Sequence, residues 1–291
     1  MRLRQSAPGA WQPALYSLLT PKERKAVSPE RRQLLSNVTG TAGKNEIQAQ
    51  RDYYARTAQD YDGVHVRDDD EHGFALSFLI AAAGQLGIRS VLDVGCGTGR
   101  GLLRLKQAVP AIAAVGIEPS AELRAVGHAK GLSNAELIDG DAMNLAFADD
   151  SFDLACEFGA LHHMPNPARA VAEMLRVSRR AIFISDSNNF GQGGPLSRFL
   201  KQSLNAIGLW PIADLIKTKG KGFTFDEGDG LYYSYSVFND YKQIANACKS
   251  VHLLNTKPSG PNLYRTATHV ALLGLKAAPG DASAPSIADS V

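Results

Sequence analysis

The stretch from Val91 to Arg100, VLDVGCGTGR, contains the residues best suited to bind a ligand. Apolar residues before the glycines predict a short buried strand, and leucines after them predict a helix. Gly95, Gly97 and Gly99 leave the backbone open to a ligand at this strand-to-helix turn, where N–H groups favour a carboxylate or phosphate. Asp93 indicates that the ligand also has a cationic group. An ordinary tight turn is the alternative, but the flanking strand, acid and helix favour a ligand site.

This stretch resembles motif I of the class I methyltransferases that use S-adenosylmethionine, in which an acid precedes three alternate glycines. It differs from the dinucleotide fingerprint G-x-G-x-x-G, because the last position falls on Arg100, which would obstruct helix–strand packing. The resemblance covers roughly Gly73 to Ser187 and implies S-adenosylmethionine as the cofactor. It also implies that Asp93 lies near the ammonium group and that the three glycines hold the amino-acid end of the cofactor.

Strands and helices alternate after residue 86, which is typical of a doubly wound parallel sheet. The predicted strands are Val91–Val94, Ala113–Glu118, Ala135–Ile138, Phe152–Glu157 and Ala181–Ser185, with Val251–Asn255 and Ala267–Leu275 as a closing antiparallel pair. With the resemblance, the fold class is α/β: a seven-stranded, mostly parallel, Rossmann-like sheet with a helical cap insertion after strand five. Family members usually carry a Gly-Gly turn before that strand, whereas this chain has Arg179-Arg180.

Helical spacing predicts two further features before the first strand. A helix over Gly73–Leu86 should end at Gly87. Its inward side chains are expected to be Phe74, Phe78, Leu79, Ala82 and Leu86. The run DDDEH before it suits the positive end of the helix dipole better than a metal site, because consecutive residues cannot all face one ion. We therefore expect no bound metal.

Composition sets the segments of the chain. The 291 residues, 44% of them apolar, predict one main domain with additions. Residues 1–45 form an N-terminal arm, either loosely packed and partly disordered or a basic docking arm, and residues 277–291 form a disordered tail. The methyltransferase domain spans residues 46–276. Within it we expect a lid at 46–72, the cofactor-binding core at 73–187, a cap insertion at 188–236, and a last helix with the closing strands at 237–276.

Charge and cysteine content limit which partners and which cellular compartment we expect for the protein. A net charge of +2, from 31 basic and 29 acidic residues, gives no global field that would recruit nucleic acid or an acidic membrane. The three cysteines lie far apart and lack C-x-x-C spacing, which indicates a reducing compartment and no structural zinc. Without a signal peptide or an apolar run of spanning length, we expect a cytoplasmic protein with no membrane span. The oligomeric state is left open.

Acids also end the second and third predicted strands, where open α/β sheets bind ligands. Glu118 follows Gly95 by 23 positions and can accept from both ribose hydroxyls; a helix-capping acid is the alternative. The resemblance implies that Asp141 accepts from the adenine amine while the N–H of Ala142 meets a ring nitrogen; a turn-forming aspartate is the alternative. It adds further cofactor-site residues: Cys96, Pro119, Met143 and Phe158.

A stripe of Tyr54, Ala58 and Tyr61 lies at helical spacing. In small-molecule methyltransferases a similar segment lies across the cofactor, which implies that Tyr54, Tyr61 and Asp62 form part of a lid. A plain core stripe fits the spacing equally well.

The residues that would bind the methyl acceptor are indicated less specifically by the sequence. Methyl transfer is an in-line displacement at a sulfonium, so the enzyme must align the reactants and exclude water, and a base is optional. His162 and His163 are the candidate catalytic bases for a hydroxyl acceptor, with a structural role in the strand-four loop as the alternative. Two further sets are expected to meet the acceptor: Asp186, Asn188 and Asn189 beyond strand five, and Tyr232, Tyr233 and Tyr235 from the cap, unless these tyrosines only pack.

The resulting prediction is a methyltransferase for a small polar acceptor, attacked at an oxygen of a sugar, lipid precursor or phenolic metabolite. A nucleic-acid acceptor is disfavoured, since Glu157-Phe158-Gly159-Ala160 replaces the Pro-Pro-aromatic run of such enzymes and no basic face is expected. A non-catalytic S-adenosylmethionine-binding sensor or partner subunit is the alternative.

Overall fold

A computed structural model describes residues 48–65 and 69–277. The predicted arm at 1–45 and nearly all of the tail predicted at 277–291 lie outside the described residues. The helices are α1 (48–57 as far as described), α2 (Tyr61–His65), α3 (Glu71–Leu86), α4 (Arg100–Ala108), α5 (Ala121–Ala129), α6 (Pro167–Val177), α7 (Pro195–Ala206), α8 (Trp210–Lys217) and α9 (Tyr241–Ala247). The strands are β1 (Ser90–Val94), β2 (Ala113–Ile117), β3 (Leu137–Ile138), β4 (Phe152–Phe158), β5 (Ser178–Ser187), β6 (Thr224–Asp226), β7 (Gly230–Tyr232), β8 (Ser250–Asn255) and β9 (His269–Leu275).

Seven strands form one sheet in the order β3-β2-β1-β4-β5-β9-β8. Strands β1 to β5 are mutually parallel, whereas β9 runs antiparallel to both β5 and β8. The order reverses direction at β1, so the crevice at the carboxyl ends of β1 and β4 is where such a sheet binds its ligand. The predicted α/β fold class is confirmed.

Apolar side chains cover both faces of this sheet, which explains why β1 and β4 are buried on both sides. On one face, Leu76 and Leu79 of α3 pack with Leu102 of α4. On the other face, Met174 of α6 packs with Ile244 of α9. Fully burying each such side chain contributes roughly 1.5–3 kcal/mol, so these two layers fix where the strand ends lie.

The helix boundaries follow from capping residues. Asp70 accepts from Gly73 N at 2.5 Å at the start of α3, and Gly87 ends that helix with φ 60°, as predicted. Asp70 also pairs with Arg100 at 2.7 Å. Acids of the DDDEH run therefore stabilise the start of α3, in agreement with the interpretation from the sequence.

The inward face of α3 differs from the predicted one. Phe74 and Phe78 are 53% and 38% exposed, while Leu76, Leu79 and Ala83 are the buried side chains. Leu76, Leu79 and Ala83 follow i, i+3, i+7 spacing, so the buried face of α3 is not the face that carries Phe74 and Phe78. Of the predicted inward set, Leu79 is confirmed, and Ala82 and Leu86 are half-buried.

Strand β5 begins earlier than predicted, directly after α6. Arg179 Nε donates to Asp153 Oδ1 at 2.8 Å, and Arg180 Nη1 donates to Gly87 O at 2.9 Å. These contacts hold the two arginines in strand geometry, so the Gly-Gly turn of the family pattern has no counterpart here.

The insertion between β5 and α9 contains α7, α8 and the β6–β7 hairpin. Asn188 anchors its base: Nδ2 donates to Ala267 O at 2.8 Å, and Oδ1 accepts from Ser236 Oγ at 2.9 Å. The last helix predicted before the closing strands is instead a 3-10 turn, Val237–Asn239, followed by α9. Among the described residues, no helix combines the length and apolar character needed to cross a membrane.

Candidate active site

Two adjoining cavities open at the carboxyl ends of β1, β2 and β4. The larger, about 440 Å³, extends from Asp93 to His162 and Asp229. The smaller, about 200 Å³, contains Glu118 and Asp141. Tyr54, Tyr61, Gly95, Gly97, Phe158, Gly159 and His163 line both cavities. The shared wall makes one continuous site with two compartments.

The glycine turn shapes this site by its conformation. Gly95 and Gly97 have φ values of 73° and 57°, which favour glycine, and a side chain at Gly97 would meet the Tyr61 ring at 3.7 Å. The backbone N–H groups expected to be open are instead used within the protein. Those of Gly95 and Cys96 donate to Ile117 O at 2.9 and 3.0 Å, and that of Gly97 donates to Glu118 Oε2 at 3.1 Å. The loop therefore admits a ligand mainly because it lacks side chains.

Gly99 lines neither cavity, in contrast to the role implied for it. Its φ is 79°, and a Cβ there would come within 2.2 Å of Leu132 Cδ1. Gly99 thus lets the start of α4 pack closely on the loop after α5. It supports the turn from behind rather than facing a ligand.

Two buried carboxylates stand at the ends of neighbouring strands. Burial raises the pKa of Asp93 to about 7, against the opposing effect of the Arg100 charge. Burial likewise raises the pKa of Glu118 to about 7, although N–H groups of Ser120 and Gly97 partly stabilise its charge. A cationic ligand would lower both pKa values and would release protons on binding. Gly101 makes room for Asp93, because a Cβ there would lie 2.5 Å from Asp93 Oδ2.

The smaller cavity brings together the predicted residues that follow β2 and β3. Pro119, Asp141, Ala142 and Met143 all line it. Asp141 Oδ1 accepts from Met143 N at 2.9 Å, so the aspartate does form the turn of the alternative interpretation. The residue nevertheless lines the cavity, and the two roles are compatible.

Helices α1 and α2 lie over the glycine turn. Tyr54 and Tyr61 contact each other edge to face, with ring centroids 5.9 Å apart, and both line the two cavities. Asp62 accepts from Thr98 Oγ1 at 2.5 Å and forms an ion pair with Lys130. These contacts tie the segment to the turn. Burial raises the pKa of both tyrosines, so they are neutral in this environment.

The paired histidines face one carboxylate across the larger cavity. His162 Nδ1 donates to Asp186 Oδ1 at 2.6 Å, and His162 Nε2 lies 3.5 Å from Asp229. His163 Nδ1 donates to Leu231 O at 2.6 Å, and its Nε2 also lies 3.5 Å from Asp229. Burial alone would lower the pKa of His162, but the Asp186 and Asp229 carboxylates raise it to about 10. These two carboxylates therefore hold His162 as an imidazolium near neutral pH.

Burial tends to raise the pKa of Asp186, but the adjacent His162 charge lowers it to about 2. The N–H groups of His162 and Ser187 also donate to this carboxylate, at 3.2 and 2.5 Å. Asp186 is thus a fully buried anion that fixes which nitrogen of His162 faces the cavity.

Several residues expected at the acceptor side lie elsewhere. Asn188 is fully buried in the bonds that anchor the insertion, and the Asn189 backbone O accepts from Lys201. Tyr235 is a core residue whose hydroxyl donates to Asp240 Oδ2 at 2.9 Å. Tyr232 and Tyr233 line neither cavity. The packing alternative therefore describes these tyrosines.

The insertion reaches the site through Asp229, which no sequence motif indicated. Asp229 lies in a Gly-Asp-Gly sequence typical of an exposed turn, and it is distant in sequence from the two histidines. His72 and His269, also missed, line the larger cavity with their ring centroids 6.0 Å apart.

Within the described ranges, two groups have potential metal-ligand atoms within 4.8 Å of one another: Glu71, His72 and His269, and His162, His163 and Asp229. The expectation that the chain binds no metal stays a prediction.

The strand order and the acids at the carboxyl ends of β1 and β2 agree with the resemblance to the class I methyltransferases, whose cofactor is S-adenosylmethionine. A family model described as "Methyltransferase domain" matches residues 91–181, which contain the glycine turn and both acids.

Demethylmenaquinone methyltransferase from Staphylococcus aureus (strain JH9) is 39% identical over 98 residues, which cover 32% of this chain and 41% of that protein. The chain therefore matches less than half the length of this curated relative. An S-adenosylmethionine dependent methyltransferase from Mesorhizobium loti is 17% identical, with a TM-score of 0.47 over 71% of this chain and 100% of that one. A possible histamine N-methyltransferase from Thermotoga maritima is 19% identical, with a TM-score of 0.46 over 77% of this chain and 99% of that one.

Proposed function

We propose that this chain transfers the methyl group of S-adenosylmethionine to a hydroxyl oxygen of a small polar acceptor. The acceptor classes that fit are a sugar, a lipid precursor and a phenolic metabolite. The observation that carries the proposal is the Asp186–His162 pair, 2.6 Å between Oδ1 and Nδ1, on the wall of the cavity that also contains Asp93.

The residues present suit S-adenosylmethionine. Two compartments joined at Gly95 and Gly97 match a ligand with an amino-acid end and a nucleoside end, and each compartment has one buried carboxylate. In this proposal Asp93 meets the ammonium, Glu118 the ribose hydroxyls, and Asp141 with Ala142 the adenine edge. Tyr61 and Phe158 cover the junction. The cofactor supplies an electrophilic methyl group on a sulfonium sulfur.

The chain's own residues supply alignment and proton removal. The acceptor hydroxyl would lie between His162 Nε2 and Asp229, which are 3.5 Å apart and would separate to admit it. His162 Nε2 would accept the hydroxyl proton while the methyl group passes from the sulfonium sulfur to the hydroxyl oxygen and leaves a neutral thioether, and Asp186 would stabilise the imidazolium that results. His163 helps to position Asp229. The Tyr54–Tyr61 wall excludes water from the reacting groups.

Because the Asp186 and Asp229 carboxylates raise the pKa of His162 to about 10, the imidazolium must lose its proton before His162 can act as a base. An acceptor that separates Asp229 from His162 lowers that pKa. The rate should therefore rise with pH through neutrality.

The proposal is tested by incubating the protein with methyl-labelled cofactor and fractionated cell extract, then identifying the labelled species. We expect label in a small hydroxyl compound, and its loss in His162→Gln. His252→Gln is the matched control, since His252 is exposed on β8 and lines neither cavity. A protein that binds the cofactor but labels nothing in any fraction would instead be a non-catalytic binding protein.

A further inference from the structure

Helices α7 and α8 expose a set of large apolar side chains, which we name the apolar cap face. Each member is between 45% and 71% exposed: Leu196, Phe199, Leu200, Ile207, Leu209, Ile212 and Ile216. Leu196, Phe199 and Leu200 share one side of α7, and Ile212 and Ile216 share one side of α8. Ile207 and Leu209 lie in the turn between the two helices, and neither helix has a buried residue. So many neighbouring apolar side chains mark an interaction surface rather than scattered exposure.

These side chains are not what attaches the helices to the domain. The attachment uses the opposite side, where Gln202 Nε2 donates to Phe190 O at 3.0 Å and Ser234 Oγ donates to Asp214 Oδ1 at 2.5 Å. The Trp210 ring also packs on Phe190, with centroids 5.7 Å apart. The apolar cap face therefore remains exposed, where a partner can bind it.

Basic residues border this face. Lys217, Lys219 and Lys221 follow directly after Ile216 and are all exposed. Residues 195–222 contain five basic residues and one acidic residue, whereas the adjoining hairpin adds Asp226, Glu227 and Asp229, so the positive charge is confined to α7, α8 and the lysines that follow them. Exposed apolar residues with lysines at their margin are typical of helices that lie in a membrane interface. We propose that the apolar cap face docks onto a bilayer surface rich in anionic phospholipid.

Charge complementarity selects this occupant over two others. A second copy seated on the same face would bring the three lysines of each copy together, and like charges oppose such contact. Residues 1–47 contain eight basic and three acidic residues, so that segment also repels the cap. Anionic headgroups are the partner that matches both the apolar side chains and the lysines.

The docked face is continuous with the acceptor side of the site. The chain passes from α8 through residues 218–223 into the β6–β7 hairpin, whose loop places Asp229 in the larger cavity. Docking would thus place the cavity beside the headgroup layer. The inference goes beyond the proposed function, and its test measures no methyl transfer.

The test is co-sedimentation of the full chain with vesicles of phosphatidylcholine alone or with about a third phosphatidylglycerol. We expect binding to the anionic vesicles that weakens with added salt, and little binding to the neutral ones. Phe199→Ser and Ile216→Ser should each weaken binding roughly tenfold. Lys219→Gln and Lys221→Gln should each weaken it about fivefold.

Phe74→Ser is the matched control, because Phe74 is also an exposed phenylalanine, 53% against 66% for Phe199, but lies on α3, and the variant should bind as the wild type does. Equal, absent or salt-independent binding to the two vesicle types would overturn the proposal. So would a lowered melting temperature or a changed oligomeric state in Phe199→Ser, since the face would then be covered by this chain or a second copy.

Discussion

Replacing Glu118 with glutamine isolates the charge at the end of β2. The carboxylate accepts from Ser120 N at 2.8 Å and Gly97 N at 3.1 Å, and burial raises its pKa to about 7. Glutamine keeps the shape but has one acceptor oxygen, so it must lose a charge-assisted hydrogen bond to the ligand or to the loop. Such a bond contributes roughly 1.5–3 kcal/mol, which predicts a loss of about 10- to 150-fold in cofactor affinity.

The same reasoning predicts a pH dependence. A cationic ligand favours the ionised carboxylates, so wild-type affinity should rise with pH through about 7 and level off above it. With Asp93 and Glu118 both titrating there, the rise below pH 7 should be steeper than for one group. Glu118→Gln removes one of the two groups and should flatten the rise.

Isothermal calorimetry with S-adenosylmethionine at pH 6, 7 and 8 measures both effects. Glu122→Gln is the matched control, since Glu122 is an exposed acid in the first turn of α5 whose carboxylate accepts from Ser120 Oγ at 3.1 Å. Thermal melting checks that the variant is folded. An affinity for Glu118→Gln within twofold of wild type at pH 8 would show that this residue is outside the cofactor site.

Two further predictions concern His162 as the catalytic base. Asp186→Asn should reduce kcat by about 10²- to 10⁴-fold with unchanged cofactor affinity, because an amide no longer holds the His162 tautomer or stabilises its charge. Asp240→Asn controls for lost stability and should retain kcat, since Asp240 is a buried acid bonded to Tyr235. Asp229→Asn removes one of the carboxylates that raise the pKa of His162, so the rising part of the pH profile of kcat/KM should shift to lower pH. An unshifted profile would exclude His162 as the titrating base.

The sequence was sufficient for the parts of the site that depend on local order. Asp93, Glu118 and Asp141 lie at or just beyond the carboxyl ends of β1, β2 and β3. Parallel strands bring these ends to one edge of the sheet, so the placement of the three acids at that edge follows from topology alone. The interpretation of the glycine turn was only half right. Its shape was predictable, but the N–H groups of Gly95 and Cys96 are used by Ile117 O, a partner on the neighbouring strand.

The acceptor side depends on long-range folding that local patterns do not encode. Asp229 reaches the histidines because a hairpin folds back over the sheet, and its GDG context is ordinary turn sequence. Tyr235 and Asn188 have types common in binding sites, yet in this chain they bury their polar atoms against Asp240 and the 263–267 loop.

The wall shared by the two cavities has a consequence for the order of events. Tyr54, Tyr61 and Phe158 face both compartments, so a nucleoside in the smaller one would restrict how these rings can turn toward the larger one. Binding of the first ligand thereby completes the binding surface for the second. This arrangement favours compulsory-order kinetics, in which the methyl donor binds before the acceptor.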